Sequence, residues 1–233
     1  AQQIRAKKTG DFDMRDVTEL VSGYRKFIEE QYQHEAETYR SLADNGQAPR
    51  TMVVACCDSR VDPSRIFSAK PGQLFIVRNV ANLVPPFEPH GDYHGTSAAL
   101  EFAVTSLGVE NVVVLGHARC GGVHGFLQGL GQGPGPSAPA GIFIGKWISL
   151  LKPAWGEVVQ AQGQSGGRLT EEERQRALEQ ASIRYSLDNL RTFPFVKERL
   201  AQGKLALHGG FFDIATGGLL GYDAASKSFA PVG

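Results

Sequence analysis

"VVACCDSRVDP", residues 53–63, is a run of apolar β-formers that stops in two cysteines, an aspartate, a serine and an arginine. With Thr51 and Met52 before it, "TMVVA" (51–55) is uninterruptedly apolar after its first residue, the pattern of a strand covered on both faces. A second run of this kind, "NVVVLGHARCGG" (111–122), ends in a histidine and another cysteine. "QLFIV" (73–77) repeats the apolar character, and "KLALHG" (204–209) is a weaker fourth strand.

Helical patterns lie between these runs. "TSAALEFAVTSLG" (96–108) starts on Thr and stops on Gly. "LTEEERQRALEQASIRYSLDNL" (169–190) opens with Thr170 and Glu173 at capping-box spacing, and Pro194 interrupts the helical region that follows. Residues 16–43 read as a long amphipathic helix, with Asp16 as its cap and Leu20, Tyr24, Phe27, Ile28 and Tyr32 at helical spacing. Strands alternating with helices imply an α/β fold with a mostly parallel central sheet flanked by helices. "FFDIATGGLLGYD" (211–223) adds a C-terminal edge strand or hairpin. The Gly/Pro-rich stretch 129–141 reads as a surface loop, so residues 1–233 form one domain with an N-terminal helical arm over 1–46.

Composition narrows the function classes. The chain has 233 residues, 42% hydrophobic and 21% charged, which suits an ordinary globular protein. Its 24 basic and 24 acidic residues cancel, so no global field draws it to nucleic acid or to an anionic membrane. No apolar run reaches the ~18–20 residues of a membrane span. The expected compartment is the cytoplasm. The chain begins with Ala rather than Met, however, which reads as trimming or processing and leaves room for a lost targeting segment. Three cysteines are too few for a disulfide framework.

In a parallel sheet, ligands gather beyond the carboxyl ends of the strands. The cysteine pair after "TMVVA" and His117 after "NVVVL" emerge at that same rim, and Cys120 follows His117 by three residues. Two thiolates and an imidazole leave the fourth tetrahedral corner open, the ligand count of a catalytic rather than a closed structural zinc. Neighbouring residues at a strand end face opposite ways, so one metal takes one of Cys56 and Cys57, and spacing alone does not choose between them.

"CCDSR" fits Cys-x-Asp-x-Arg and "HARC" fits His-x-x-Cys, and together they resemble the paired motifs of the β-class carbonic anhydrases. The resemblance runs through "PGQLFIVRNVANLVPPF" (71–87), "ALEFAVTSLGVENVVVLGHARCGG" (99–122) and "LALHGGFFDIATG" (205–217). Its register makes Cys56, His117 and Cys120 the zinc ligands and leaves Cys57 a spare thiol packed in the interior. It implies a hydro-lyase that interconverts carbon dioxide and bicarbonate by attack of a zinc-bound hydroxide. Asp58 and Arg60 form the catalytic dyad, and Asp58 is a fourth ligand when the site closes.

The resemblance also implies a substrate pocket of Gln47, Phe75, Val80, Phe102 and the backbone N–H of Gly121. Phe102 stands where many members carry tyrosine. Val53 stands where members inhibited by bicarbonate carry tryptophan, which implies the plant-like, non-allosteric type. Members build homodimers or dimer-based higher oligomers, and the apolar stripe of the 16–43 helix agrees with that. Rival readings are a carbon disulfide or carbonyl sulfide hydrolase on the same scaffold, a zinc-stabilised binding protein without turnover, and a thiol redox protein. The last lacks a Cys-x-x-Cys. His34, His90, His94, His124 and His208 are all candidates for proton export, and none is singled out.

Overall fold

The computed structural model describes residues 17–91, 94–129, 142–165 and 167–232. The chain divides into two compact units, Ala1–Gln47 and Ala48–Gly233. In the first, α1 (Thr18–Lys26) runs through a π-helical stretch, Phe27–Tyr32, into α2 (Gln33–Asn45). Asp16, expected to cap this helix, lies outside the described residues. Phe27, Tyr32 and Tyr39 form a ring cluster with centroids 5.2–6.2 Å apart. No residue of α1, α2 or the π segment is buried, and Leu20 and Tyr24 are exposed.

The second unit is a six-stranded sheet. β1 (Thr51–Cys56), β2 (Leu74–Asn79), β3 (Asn111–His117) and β4 (Ala206–Phe212) are parallel, and β5 (Leu219–Asp223) and β6 (Ser228–Pro231) are antiparallel, in the order β2-β1-β3-β4-β5-β6. The C-terminal hairpin is therefore made by β4 and β5, and the sequence pattern did not reveal β6. β1 is covered on both faces, as its composition requires. Met52 and Val54 pack with Val112, Val114, Ile183 and Leu187, whereas Val53 and Ala55 pack with Leu115, Ile76 and Leu219.

Helices connect the strands: α3 (Pro63–Ile66), α4 (Gly95–Glu101) continued by a π segment Phe102–Ser106, α5 (Gly121–Leu127), α6 (Ile144–Ile148), α7 (Lys152–Ser165), α8 (Glu171–Leu190) and α9 (Pro194–Ala201). The capping box forms as spaced. Thr170 Oγ1 accepts from the Glu173 N–H at 3.2 Å, and Glu173 accepts from the Thr170 N–H at 2.8 Å. Pro194 is the first residue of α9, where its missing N–H costs nothing. α6 and α7 were not foreseen. Except for Gly129, the loop expected over 129–141 lies outside the described residues.

The chain crosses from β1 to β2 on one side and reaches β3 on the other, so strand order reverses at β1. That is where a doubly wound sheet opens a crevice. α5 to α8 build a third cluster there, holding Cys56, Cys120, Val123, Phe126, Ile148, Leu151 and Leu178.

Candidate metal centre

Ala55 pairs with Leu115, so the last residue of β1, Cys56, and the last of β3, His117, reach the same rim. Cys56, His117 and Cys120 are all buried, and one donor atom of each lies within 4.8 Å of the other two. The Sγ atoms of Cys56 and Cys120 are 4.0 Å apart. Two sulfurs each ~2.3 Å from a tetrahedral zinc lie about 3.8 Å apart, so the spacing fits.

The imidazole agrees. His117 Nδ1 faces the Ala118 carbonyl at 2.9 Å, while the buried Nε2 has no hydrogen-bond partner. A buried unpartnered ring nitrogen beside two thiols is costly unless something accepts its lone pair. An Nδ1–H bonded to a carbonyl leaves Nε2 free to ligate, the usual arrangement of a metal-binding histidine.

Electrostatics favour a thiolate in the set. The Cys56 thiol is drawn down, chiefly by its hydrogen bond with Cys120; burial opposes this, while His117 and the backbone N–H groups of Asp58 and Ala81 assist. The same pairing, with burial, pushes the Cys120 thiol far up. Burial acts to lower His117, but the adjacent Cys56 outweighs it and the net direction is upward.

Cys57 is corrected by the structure. It is exposed rather than packed in the interior. Its N–H bonds the Asn79 carbonyl at 2.9 Å, extending the β1–β2 ladder by one residue, and alternation turns its side chain away from the buried face of Cys56.

Arg60 grips Asp58 with a two-bonded fork, Nε to Oδ1 at 2.9 Å and Nη2 to Oδ2 at 2.7 Å, and the Arg60 N–H adds a third bond to Oδ1 at 3.0 Å. The guanidinium holds the Asp58 carboxyl well below the usual carboxylate range, against the effect of burial. Asp58 is not a member of the close donor set.

Of the other expected site residues, two lie at the centre. Val80 follows the end of β2, packs into the Cys56–Cys120 cluster and lends its carbonyl to Trp147 Nε1 at 2.8 Å. Gly121 opens α5 and is exposed, with nothing within 4 Å of where a Cβ would stand. Phe75 and Phe102 stack at 5.9 Å, but Phe75 pairs with Met52, four residues short of Cys56. That is about 13 Å along the strand, so one chain does not gather this pair at its own centre. Gln47 is exposed at the end of the N-terminal unit.

Several supporting residues escaped the sequence reading. Arg78 donates to three carbonyls at and just beyond the end of β1, Cys56 at 2.8 Å, Asp58 at 2.7 Å and Val61 at 2.8 Å. An arginine closing an otherwise apolar strand was the available signal. Asn79 ties down the following turn through Leu83, accepting its N–H and donating to its carbonyl, both at 2.8 Å. That turn holds Ala81 and Asn82 at φ of 65° and 49°. Glu179, 3% exposed, accepts from the Cys120 N–H at 2.8 Å and from Gln175 Nε2 at 2.9 Å. Burial pushes the Glu179 carboxyl up, and these donors only partly offset it.

A doubly wound sheet carrying a buried Cys₂His set has the form of a metal-dependent enzyme. A model of the carbonic anhydrase family matches residues 51–219. The chain is 38% identical over 209 residues to β carbonic anhydrase 5, chloroplastic, of Arabidopsis thaliana, covering 90% of this chain and 64% of that protein. It thus spans less than two thirds of that relative's length. The solved β-carbonic anhydrase CcaA superposes with a TM-score of 0.83 at 29% identity, over 94% of this chain and 93% of that one. One of two tetrameric β-carbonic anhydrases from Sordaria macrospora gives 0.74 at 27% identity, over 89% and 96%. The chain belongs to the carbonic anhydrase family, in its β class.

Proposed function

We propose that the chain catalyses the reversible hydration of carbon dioxide to bicarbonate and a proton, with zinc held by Cys56, His117 and Cys120. The observation that carries this reading is the orphaned His117 Nε2 in a close buried set with the Cys56 and Cys120 thiols, near a carboxylate already clamped by Arg60. The chemistry zinc supplies when bound is acidification of water from ~15.7 toward ~7, which makes a nucleophile available near neutral pH.

The protein's own groups do the rest. Asp58, kept ionised by Arg60, is an acceptor only; it orients a hydrogen-bond donor at the open corner but does not store the proton. Its fork with Arg60 keeps it from becoming a fourth ligand, and loss of the fork frees it to close the site. The proton leaves to solvent or buffer. Val80 supplies an apolar wall suited to a linear, apolar substrate, and the space beside Gly121 leaves its N–H accessible to a substrate oxygen.

The remaining pocket residues belong to an assembly. Phe102 is 47% exposed and stacks on Phe75 away from this chain's centre, so a second copy is what uses that pair, together with Gln47. A homodimer or dimer-based oligomer also covers the exposed Leu20 and Tyr24 of α1. The neighbour from Sordaria macrospora is tetrameric, which agrees with such assembly. Val53, buried within β1, favours the non-allosteric type. A reducing compartment such as the cytoplasm keeps Cys56 and Cys120 as separate thiols. Among the described residues no helix is long and apolar enough to cross a membrane.

Metal analysis with stopped-flow carbon dioxide hydration across pH, run beside carbon disulfide and carbonyl sulfide, tests this. One zinc per chain is expected, with hydration rising through an ionisation as pH increases and little turnover of the sulfur substrates. Zinc-replete protein that does not hydrate carbon dioxide would overturn the reading.

A further inference from the structure

Both backbone polar groups of Cys120 are met by side chains of α8. Its N–H donates to Glu179 Oε1 at 2.8 Å, and its carbonyl, which accepts the His124 N–H of α5 at 2.9 Å, also accepts from Gln175 Nε2 at 3.4 Å. Gln175 and Glu179 stand one helical turn apart and are themselves joined, Nε2 to Oε1 at 2.9 Å. Gln175 Oε1 in turn faces His124 Nδ1 at 3.3 Å, so the array runs from Cys120 to the surface of α5.

A carboxylate at 3% exposure is an expensive way to fill space. An apolar side chain would pack there at lower cost, so the group is there for its acceptor. The segment it grips needs gripping. Arg119, immediately before Cys120, sits in the left-handed region at φ 56°, and Cys120 itself is extended at φ −67°, ψ 121°. A non-glycine residue with such a φ persists only where its surroundings over-determine it.

We propose that Glu179 is a positioning residue for the metal centre. It fixes the Cys120 backbone so that Sγ points where Cys56 Sγ and His117 Nε2 converge, and Gln175 orients the carboxylate that does so. This rests on the reading of Cys120 as a ligand. The consequence is that the donor set is organised before the metal arrives, which strengthens binding and holds its geometry.

The test is cobalt(II) titration of the metal-free full chain against a competing chelator, with the visible and sulfur-to-metal charge-transfer absorption recorded. Glu179→Met keeps the volume and removes the acceptor, and should bind cobalt about 10–100-fold more weakly, with shifted bands. Glu179→Gln keeps an acceptor oxygen and should retain the wild-type spectrum. Circular dichroism of each metal-free variant checks the fold; if Glu179→Met does not fold, Gln175→Ala carries the test, with weaker binding expected. Wild-type affinity and spectrum in the folded acceptor-less variant would overturn the positioning role alone. A wild-type chain that binds no cobalt would overturn the metal reading as well.

Discussion

Arg60 Nη2 holds Asp58 Oδ2 at 2.7 Å and, from the same nitrogen, the Arg119 carbonyl at 3.1 Å. One guanidinium thus ties the loop after β1, which carries Asp58, to the loop after β3, which carries Cys120. A planar fork can bond both carboxylate oxygens and still reach a third acceptor, which an ammonium does less well. Arg60→Ala, and more mildly Arg60→Lys, should lower kcat with zinc retained. Asp58→Asn should cost about 10²-fold or more in kcat, the scale for losing one preorganised hydrogen bond to a reacting group. Stopped-flow hydration with metal content measured on the same samples is the check.

Arg78 acts further out. It bonds the Cys56, Asp58 and Val61 carbonyls, so it sets where the Cys56–Asp58 segment turns. Arg78→Met should reduce metal affinity or kcat by about 10–100-fold, the scale for outer partners of a metal site. Chelator competition and steady-state hydration separate the two effects.

Gly122 is required by close approach. A Cβ there would lie 2.8 Å from Val80 Cγ1 and 3.0 Å from the Ala81 Cβ, neither of them the end of a flexible chain. Gly122→Ala should destabilise the protein by about 1–3 kcal/mol, as overpacking does. Denaturant unfolding measures this, and Gly121→Ala, with open space at its Cβ, is the control expected to be far milder.

The pH dependence of stability should report the capping box. Hydrogen bonds from Thr170 hold the Glu173 carboxyl below its ordinary value, so the folded state favours the ionised form. A depressed carboxyl contributes stability that is present above the unfolded pKa, ~4.3, and disappears as pH falls through the folded value. The wild-type advantage over Glu173→Gln in thermal midpoint should therefore be constant near neutral pH and shrink below about pH 4. Thermal unfolding of both proteins over pH 3–7 reads the difference.

Much of this architecture was written in local pattern. Met52 to Ala55 are apolar without a break because both faces of β1 are covered, and Thr170 with Glu173 announced the start of α8 in their spacing alone. Cys56, His117 and Cys120 were legible because strand ends define a rim and three donors fell on it. What stayed hidden depends on long-range placement. Glu179 is one more polar residue in the pattern of 169–190, and its place follows only from α8 lying behind Cys120, 59 residues earlier. Cys57 was misplaced because a free cysteine is ordinarily buried, whereas here alternation at the end of β1 turned it outward. Phe75 carried no sign that the parallel register would set it four residues from the rim, with Phe102 against it.

The most direct measurement is zinc X-ray absorption on the metal-replete protein near pH 8. Two sulfurs at ~2.3 Å, one imidazole nitrogen at ~2.0–2.1 Å and one further light atom are expected, the last lost to a protein carboxylate only in an Arg60 variant. A zinc saturated by four protein donors in the wild-type chain, or no zinc bound at the two sulfurs, would contradict the central claim.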